Sequence, residues 1–317
     1  MISQKTKIRI IQEKLYYFDS HTKTCMLCPR ECGFNRMHQK GYCRSGLEPY
    51  VYSYGPHHGE EPPISGTNGS GTVFFSNCTL SCVYCQNYKF SQEGSGKRVE
   101  KNELSEIFIE LQRIGCHNIN LVSPAHYLPC ILRALLLAYK NGLTIPIVYN
   151  TSGYESAPVI EHLSGIIDIY LTDMRYANND MAKKYSDAAD YVEQNQTAVR
   201  EMFRQVGNLK YGVGNVAEKG LIIRCLIMPG NISGTRNTLD TITKCISPDA
   251  FVSLMSQYYP AFKAKDYPEL SRKLTISEYN EIKSYMHKIN LKNGWAQELP
   301  DELESDLIGE NLKPIVG

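Results

Sequence analysis

The stretch Phe74-Phe75-Ser76-Asn77-Cys78-Thr79-Leu80-Ser81-Cys82-Val83-Tyr84-Cys85-Gln86-Asn87 sets three cysteines, spaced CxxxCxxC, directly behind an apolar run that reads as a β-strand. Three thiolates this close in sequence can converge on one inorganic centre, and a centre with four positions then keeps one position free for another ligand. A metal site with a free position is a reactive one. The rest of the chain is read for what it supplies around that loop.

Beyond the loop, strand and helix patterns alternate. Leu104, Ile107, Phe108, Leu111 and Ile114 fall on one face of 103–115, which predicts a helix, and 118–122 follows as a short apolar strand. A second helix covers 127–141 and is stopped by Gly142. Strands follow at 145–149, 166–171, 221–228 and 251–255, with helices at 157–163, 235–245 and 275–289. The polar segment 180–206 holds one long helix or two shorter ones. Six such alternations predict an α/β fold with a parallel sheet, curled by right-handed crossovers into an open, partial (β/α)6 barrel. Ligands of such sheets gather at the carboxyl ends of the strands, which is where the cysteine loop lies. The expected division is a helix and cysteine knuckle over 1–54, the barrel over 55–262, and a C-terminal helix and tail over 263–317.

Bulk composition narrows the partners. Thirty-four Lys and Arg against 33 Asp and Glu give a net charge of +1 and no basic stripe, so neither nucleic acid nor an anionic membrane is expected. No apolar run approaches the length of a membrane span. Of the 11 cysteines, seven fall in two compact sets with metal-ligand spacing, which points to a reducing, cytoplasmic compartment.

The second set is Cys25, Cys28, Cys32 and Cys43, in a stretch punctuated by Gly and Pro. Four thiolates close a tetrahedral zinc shell, and four thiolates equally hold an iron–sulfur cluster; spacing does not separate the two. Cys116, Cys130, Cys225 and Cys245 sit in apolar surroundings and are expected to be buried packing thiols. Ile8, Ile11, Leu15 and Phe18 predict an amphipathic N-terminal helix that packs. Segment 55–72, with His57, His58, Glu60 and Glu61, is expected to be a solvated loop; a functional role would make His57 or Glu61 an acid, base or ligand facing a substrate. The acidic tail 298–317 is expected to be a strap or a disordered end.

CxxxCxxC with an aromatic residue before its last cysteine resembles the cluster loop of the radical S-adenosylmethionine (radical SAM) superfamily. Gly59-Glu60-Glu61-Pro62-Pro63-Ile64-Ser65-Gly66, Gly69-Ser70-Gly71-Thr72, Cys85-Gln86-Asn87 and the leading Cys28-Pro29-Arg30-Glu31-Cys32 resemble the PflX-like group related to pyruvate formate-lyase activating enzymes. The similarity runs from Cys25 to Pro260. It implies that Cys78, Cys82 and Cys85 ligate three irons of a [4Fe-4S] cluster, with S-adenosylmethionine on the fourth and an electron donor such as flavodoxin or ferredoxin.

The strand ends carry the rest of the resemblance. Asn150-Thr151-Ser152-Gly153 resembles the Asp-Thr-Asn-Gly stretch of the activating enzymes, so Asn150 and Ser152 are implied to hydrogen-bond ribose or carboxylate oxygens. Asp173-Met174-Arg175 is similar to their Asp-x-Lys, and Arg175 keeps a cation that pairs with a carboxylate. Arg224, buried in the apolar run 220–230, needs a partner. The resemblance makes that partner S-adenosylmethionine; a core ion pair is the alternative. Tyr84 is implied to lie near the adenine, and Ser253, Met255, Gln257 and Tyr258 near adenine or substrate. Ser123-Pro124-Ala125-His126 stands where many of these enzymes carry a Gly-Gly-Glu-like stretch, which makes Ser123 a candidate contact and leaves His126 either structural or substrate-facing.

The implied activity is reductive cleavage of S-adenosylmethionine to a 5'-deoxyadenosyl radical that abstracts hydrogen. No side chain stands out as a catalytic acid or base. The family name implies a backbone glycine of a partner enzyme as substrate; a small molecule or peptide is a second expectation, and a non-catalytic iron or zinc carrier is the rival from another class.

Overall fold

The computed structural model describes residues 2–297 and 313–314. Helix α1 (Gln4–Lys23) starts at Ser3, whose hydroxyl accepts from Thr6 N at 3.2 Å, and buries Ile11 and Phe18 completely. One turn from Ile11 it also buries Lys7, whose ammonium pairs with Asp168 and donates to Ile166 O at 3.1 Å, tying α1 to the amino-terminal side of a central strand. The cysteine-rich knuckle follows without regular structure.

The remaining elements are β1 (Tyr50–His57), α2 (Pro62–Ser65), β2 (Ser70–Phe75), α3 (Tyr88–Ser91), β3 (Lys97–Arg98), α4 (Lys101–Arg113) and β4 (Ile119–Val122). Then come α5 (Leu128–Lys140), β5 (Ile147–Thr151), α6 (Ala157–His162), β6 (Ile169–Asp173), α7 (Asn179–Ser186), α8 (Tyr191–Val206) and β7 (Lys210–Tyr211). The chain continues through β8 (Ala217–Leu226), α9 (Thr235–Cys245), β9 (Phe251–Met255), α10 (Ile276–Lys288), β10 (Gly294–Ala296) and β11 (Lys313–Pro314).

The main sheet runs in the order β10-β9-β8-β6-β5-β4-β2-β1-β11. Pairing is parallel from β2 through β9 and on to β10, and antiparallel between β2 and β1. Its two ends carry different strands, so the α/β barrel is partial, as the alternation predicts. Period two along the strands then sorts the side chains. Ile147, Tyr149, Tyr170, Ile223 and Cys225 pack outward with Leu104, Ile107, Leu135 and Leu239 of the helices. Val148, Ile169, Leu171 and Ile222 point the other way and close the inside of the sheet with Ile64. One step further along the same inward rows stand Asn150, Asp173 and Arg224. The inner face is therefore apolar below and polar at the strand ends.

Two features depart from the sequence pattern, and a third takes one of the two alternatives it left open. Tyr50–His57 is a strand, although residues 55–57 fall in the segment read as a loop; it lies beside β2 with a register shift between Val51 and Ser53, and runs across the expected division at residue 54. Segment 180–206 divides into α7 and α8 because Asp187 takes a left-handed φ of 53°. Cys245 is exposed, in contrast to Cys116, Cys130 and Cys225, because α9 buries Thr235, Thr238, Leu239 and Ile242 and ends at Cys245 in solvent. The expected strap or disordered end over 298–317 falls outside the described residues, apart from β11. Among the described residues no helix is long and apolar enough to cross a membrane.

Candidate cluster and cofactor site

The cysteine loop leaves β2, every residue of which is buried, through Asn77 at a φ of 71°, a conformation Asn tolerates better than most side chains. Asn77 N donates to Phe90 O at 2.8 Å. Ser81 N and Val83 N donate to Ser186 O and Tyr185 O at the end of α7, at 3.1 and 2.9 Å. From the knuckle, Arg30 Nε donates to Thr79 O at 3.1 Å, and from behind α3 Gln92 Nε2 donates to Leu80 O at 3.2 Å. The loop is thus fixed by backbone bonds on both flanks, independent of what its thiols hold.

Each thiol has a donor nearby. Cys82 Sγ accepts from Ser186 Oγ at 3.0 Å and from Arg175 Nη1 at 3.2 Å, Cys85 Sγ lies 3.1 Å from Ser91 Oγ, and Leu80 N donates to Cys78 Sγ at 3.4 Å. Burial, reinforced by the neighbouring Cys82, pushes the Cys78 thiol up to about 12 and the Cys85 thiol up to about 11. Such thiols become thiolates when a cation binds them, so the donor set fits a positively charged iron centre. Tyr84 is buried, and its hydroxyl begins a chain to Tyr176 (2.7 Å), Ser186 (2.8 Å) and Cys82.

Facing the thiols is a cavity of about 500 Å³ lined by Cys78, Cys82 and Cys85 together with Asn150, Ser152, Arg175 and Arg224. An adjoining recess of about 140 Å³ brings Tyr84, Asp173 and Tyr258 against Cys82 and Cys85. Strand register builds the polar wall, since Arg224 of β8 stands beside Asp173 of β6 and Ser253 of β9. Arg224 Nε donates to Asp173 Oδ1 at 2.7 Å and Arg224 Nη2 to Asn150 Oδ1 at 2.8 Å. Arg175 Nε donates to Asp173 Oδ2 at 2.8 Å. Burial acts to raise the Asp173 carboxyl, but Arg224 and Arg175 together outweigh it and hold it below the usual carboxylate range.

Arg224 is thus ion-paired with Asp173, as the core-pair alternative has it, and it also lines the cavity. Ser123 also lines the cavity, in a left-handed conformation with φ of 56°, and its N–H donates to Asn150 O at 2.8 Å. Met255 and Gln257 lie on the same wall, and the buried Ser253 Oγ has no partner. His126 belongs to the packing: it is buried, its Nε2 meets Ser76 O at 2.9 Å, and burial lowers its pKa to about 3, leaving a neutral ring.

The segment read as a solvated loop is the main correction. Ile64, fully buried in the apolar floor, draws the preceding Glu60 and Glu61 into the cavity, and Glu61 is only 7% exposed. Glu60 accepts from Asn120 Nδ2 at 3.0 Å and Asn150 Nδ2 at 3.1 Å, and lies 3.6 Å from Arg224 Nη1. The signal present in the chain was two carboxyls immediately ahead of Pro62-Pro63-Ile64, a helix start with an apolar anchor.

In the knuckle Cys25, Cys28 and Cys43 are buried and Cys32 is partly exposed. Arg36 Nη1 reaches Cys25 Sγ at 3.4 Å and Cys43 Sγ at 4.0 Å, while its Nη2 donates to Gly46 O at 2.7 Å and to His126 O. Among the described residues no three His, Cys, Asp or Glu groups converge on a point suited to a single metal ion. The cysteines of a multi-iron cluster bind different irons and need no such point.

Three thiols on a loop at the end of a parallel strand, facing a polar cavity, are an arrangement that fits an inorganic cluster in an α/β protein. A family model described as a 4Fe-4S single cluster domain matches residues 64–185, a span that includes Cys78, Cys82 and Cys85 and excludes the four knuckle cysteines. The chain belongs to the family of the uncharacterized protein MJ0674 of Methanocaldococcus jannaschii, with 30% identity over 282 residues, 85% of this chain and 76% of that protein. Among solved structures it is similar to the FeFe-hydrogenase maturase HydG from Carboxydothermus hydrogenoformans, at 16% identity and a TM-score of 0.48 over 69% of this chain and 50% of that one. It is also similar to methylornithine synthase (PylB), at 12% identity and a TM-score of 0.47 over 98% of this chain and 83% of that one. Neither likeness is close enough to speak for chemistry.

Proposed function

We propose that the protein is a radical S-adenosylmethionine enzyme, in which Cys78, Cys82 and Cys85 hold a [4Fe-4S] cluster and the cavity they face takes S-adenosylmethionine. The observation that carries this reading is that the three thiols share one cavity of about 500 Å³ with a wall of Asn150, Ser152, Arg175 and Arg224. Buried polar atoms without partners on residues that line the cavity, Asn87 Oδ1 and Glu61 Oε2 among them, fit a polar ligand there. When bound, the cluster and S-adenosylmethionine supply reductive cleavage of the sulfonium and a 5'-deoxyadenosyl radical that abstracts hydrogen from a substrate.

The chain's own residues bind, orient and shield. Arg224, anchored by Asp173 and Asn150, presents a fixed cation to a ligand carboxylate, and Asn150 and Ser152 offer hydrogen bonds to carboxylate or ribose oxygens. Tyr84 and Tyr258 flank the recess where an adenine stacks. Arg175 Nη1 donates to Cys82 Sγ and orients it. The sheet and the covering helices keep water from the reacting atoms. Cys25, Cys28, Cys32 and Cys43 form a second metal element, zinc or a further iron–sulfur cluster. An external flavodoxin- or ferredoxin-type protein supplies electrons, and the substrate is a small molecule, a peptide, or the backbone glycine of a partner enzyme.

Anaerobic reconstitution tests this. The wild-type protein binds about four iron and four sulfide at the three-cysteine loop and forms 5'-deoxyadenosine from S-adenosylmethionine and reductant, whereas Cys82→Ser does not. A wild-type protein that takes up iron and forms no 5'-deoxyadenosine is a carrier, not an enzyme. About one zinc per chain identifies the knuckle as a zinc site.

A further inference from the structure

The inner face of the sheet holds an unbalanced group of charges. Arg175 and Arg224 stand against Asp173, Glu60 and Glu61, two cations to three carboxyls. Asp173 is taken by both arginines, and Glu60 by Asn120, Asn150 and Arg224. Glu61 is left over. It is 7% exposed, lines the cavity that the cysteines face, and its Oε2 is buried without a hydrogen-bond partner. A buried carboxyl oxygen with no donor carries the full desolvation cost of that group, so the arrangement is completed by a donor arriving from the cavity.

The identity of that donor follows from charge. Arg224 is near enough to act against the rise of the Glu61 carboxyl, but its side-chain donors are directed to Asp173 and Asn150 and it stands 3.6 Å from Glu60, so it leaves Glu61 Oε2 without a hydrogen bond. His57 and His58 line the cavity as well, and burial lowers the pKa of His57 and keeps its ring neutral. We infer that the cavity selects a ligand presenting a cationic nitrogen, an amine or a guanidinium, to Glu61. This rests on the radical S-adenosylmethionine reading only in taking that ligand as the enzyme's substrate. A charged donor shared between Glu61 Oε2 and the neighbouring Glu60 also removes the repulsion between the two carboxyls. Burial, opposed by Arg224 and reinforced by Glu60, pushes the Glu61 carboxyl up to about 7, so the group exchanges its proton for a bound cation near neutral pH.

The test uses the reconstituted holoenzyme and three probes of one chain length, n-pentylamine, 1-pentanol and pentanoate, titrated by calorimetry at about pH 8 with and without S-adenosylmethionine. Pentylamine is expected to bind about tenfold or more tightly than pentanol, and pentanoate more weakly than either, since a charged donor on a buried carboxylate is worth at least that factor. Glu61→Gln keeps the shape and removes the charge; with wild-type iron content and melting temperature as evidence of folding, it brings amine and alcohol to similar affinity. Equal affinities in the wild-type protein, absence of amine binding, or selectivity surviving in Glu61→Gln overturns the inference. Loss of amine binding on addition of S-adenosylmethionine also overturns it, because the cation site then belongs to that ligand. Glu61-dependent amine selectivity in a protein that forms no 5'-deoxyadenosine supports the inference and sinks the enzyme reading instead.

Discussion

Replacing Asp173 with asparagine keeps the shape of the side chain and removes a charge that stands between two arginines. Asp173 Oδ1 is 2.7 Å from Arg224 Nε, and Oδ2 is 2.8 Å from Arg175 Nε and 2.6 Å from Arg175 Nη2. The side chains of Asp173, Arg224 and Arg175 are 10%, 15% and 24% exposed, so solvent screens little of the interaction. Deleting one partner of a buried pair costs ~3–5 kcal/mol, because the remaining charge stays buried and uncompensated. Arg224 keeps Asn150 at 2.8 Å and Glu60 at 3.6 Å, so part of that penalty is offset. The expected loss is therefore ~3 kcal/mol, from a total stability of ~5–15 kcal/mol.

Urea unfolding of the metal-free protein measures it. The folded-state pKa of Asp173 is depressed, so its contribution is fully present above the unfolded value of about 3.9 and is lost as pH falls through the folded value. The difference between wild type and variant is thus level across neutral pH and shrinks below about pH 4. A loss under ~1 kcal/mol at neutral pH, the worth of a surface pair, refutes the reasoning. So does a difference that persists unchanged in acid.

Three further outcomes follow from the same geometry. Glu155 is buried, and burial raises its carboxyl to about 7 despite hydrogen bonds from Thr151 and Tyr149. The folded protein therefore holds a proton that the unfolded chain releases, and Glu155→Gln should gain ~3 kcal/mol relative to wild type as pH rises from about 4.5 to about 7, then stay level; no change over that window contradicts it. Gly153 has a φ of 76°, and a Cβ there would run into Asp173 O and Asn195 Nδ2, so Gly153→Ala should lose ~2–4 kcal/mol in thermal or urea unfolding. Cys245 should be the thiol that a maleimide modifies fastest in the folded protein, with iron content unchanged; faster labelling of the buried Cys116 or Cys225 would contradict its place at the exposed end of α9.

The fold was legible where it depended on local pattern. The apolar period in 103–115 and the boundaries of 235–245, 251–255 and 275–289 all follow from residues within a few positions of one another. The strand Tyr50–His57 was not legible, because Gly55 and Pro56 open the Gly- and Pro-rich stretch read as a loop and the strand's support comes from pairing with β2. Cys245 was misread for a related reason. Its apolar neighbours in sequence do not decide whether the last turn of a helix is covered.

The sequence by itself determined the cysteine loop, since CxxxCxxC behind a buried strand fixes three thiols on one short segment whatever the rest of the chain does. It also determined that Asn150 and Asp173 stand at strand ends and that Arg224 lies within an apolar strand. Tertiary structure decided which of these groups meet. Asp173 and Arg224 are 51 residues apart and become neighbours only through the register of β6 and β8. Glu60 and Glu61 enter the cavity only because Ile64 is buried in the sheet's floor. Spacing along a chain is covalent and short-ranged, whereas the balance of charge inside a cavity depends on which strands pair and what their apolar anchors pull in with them.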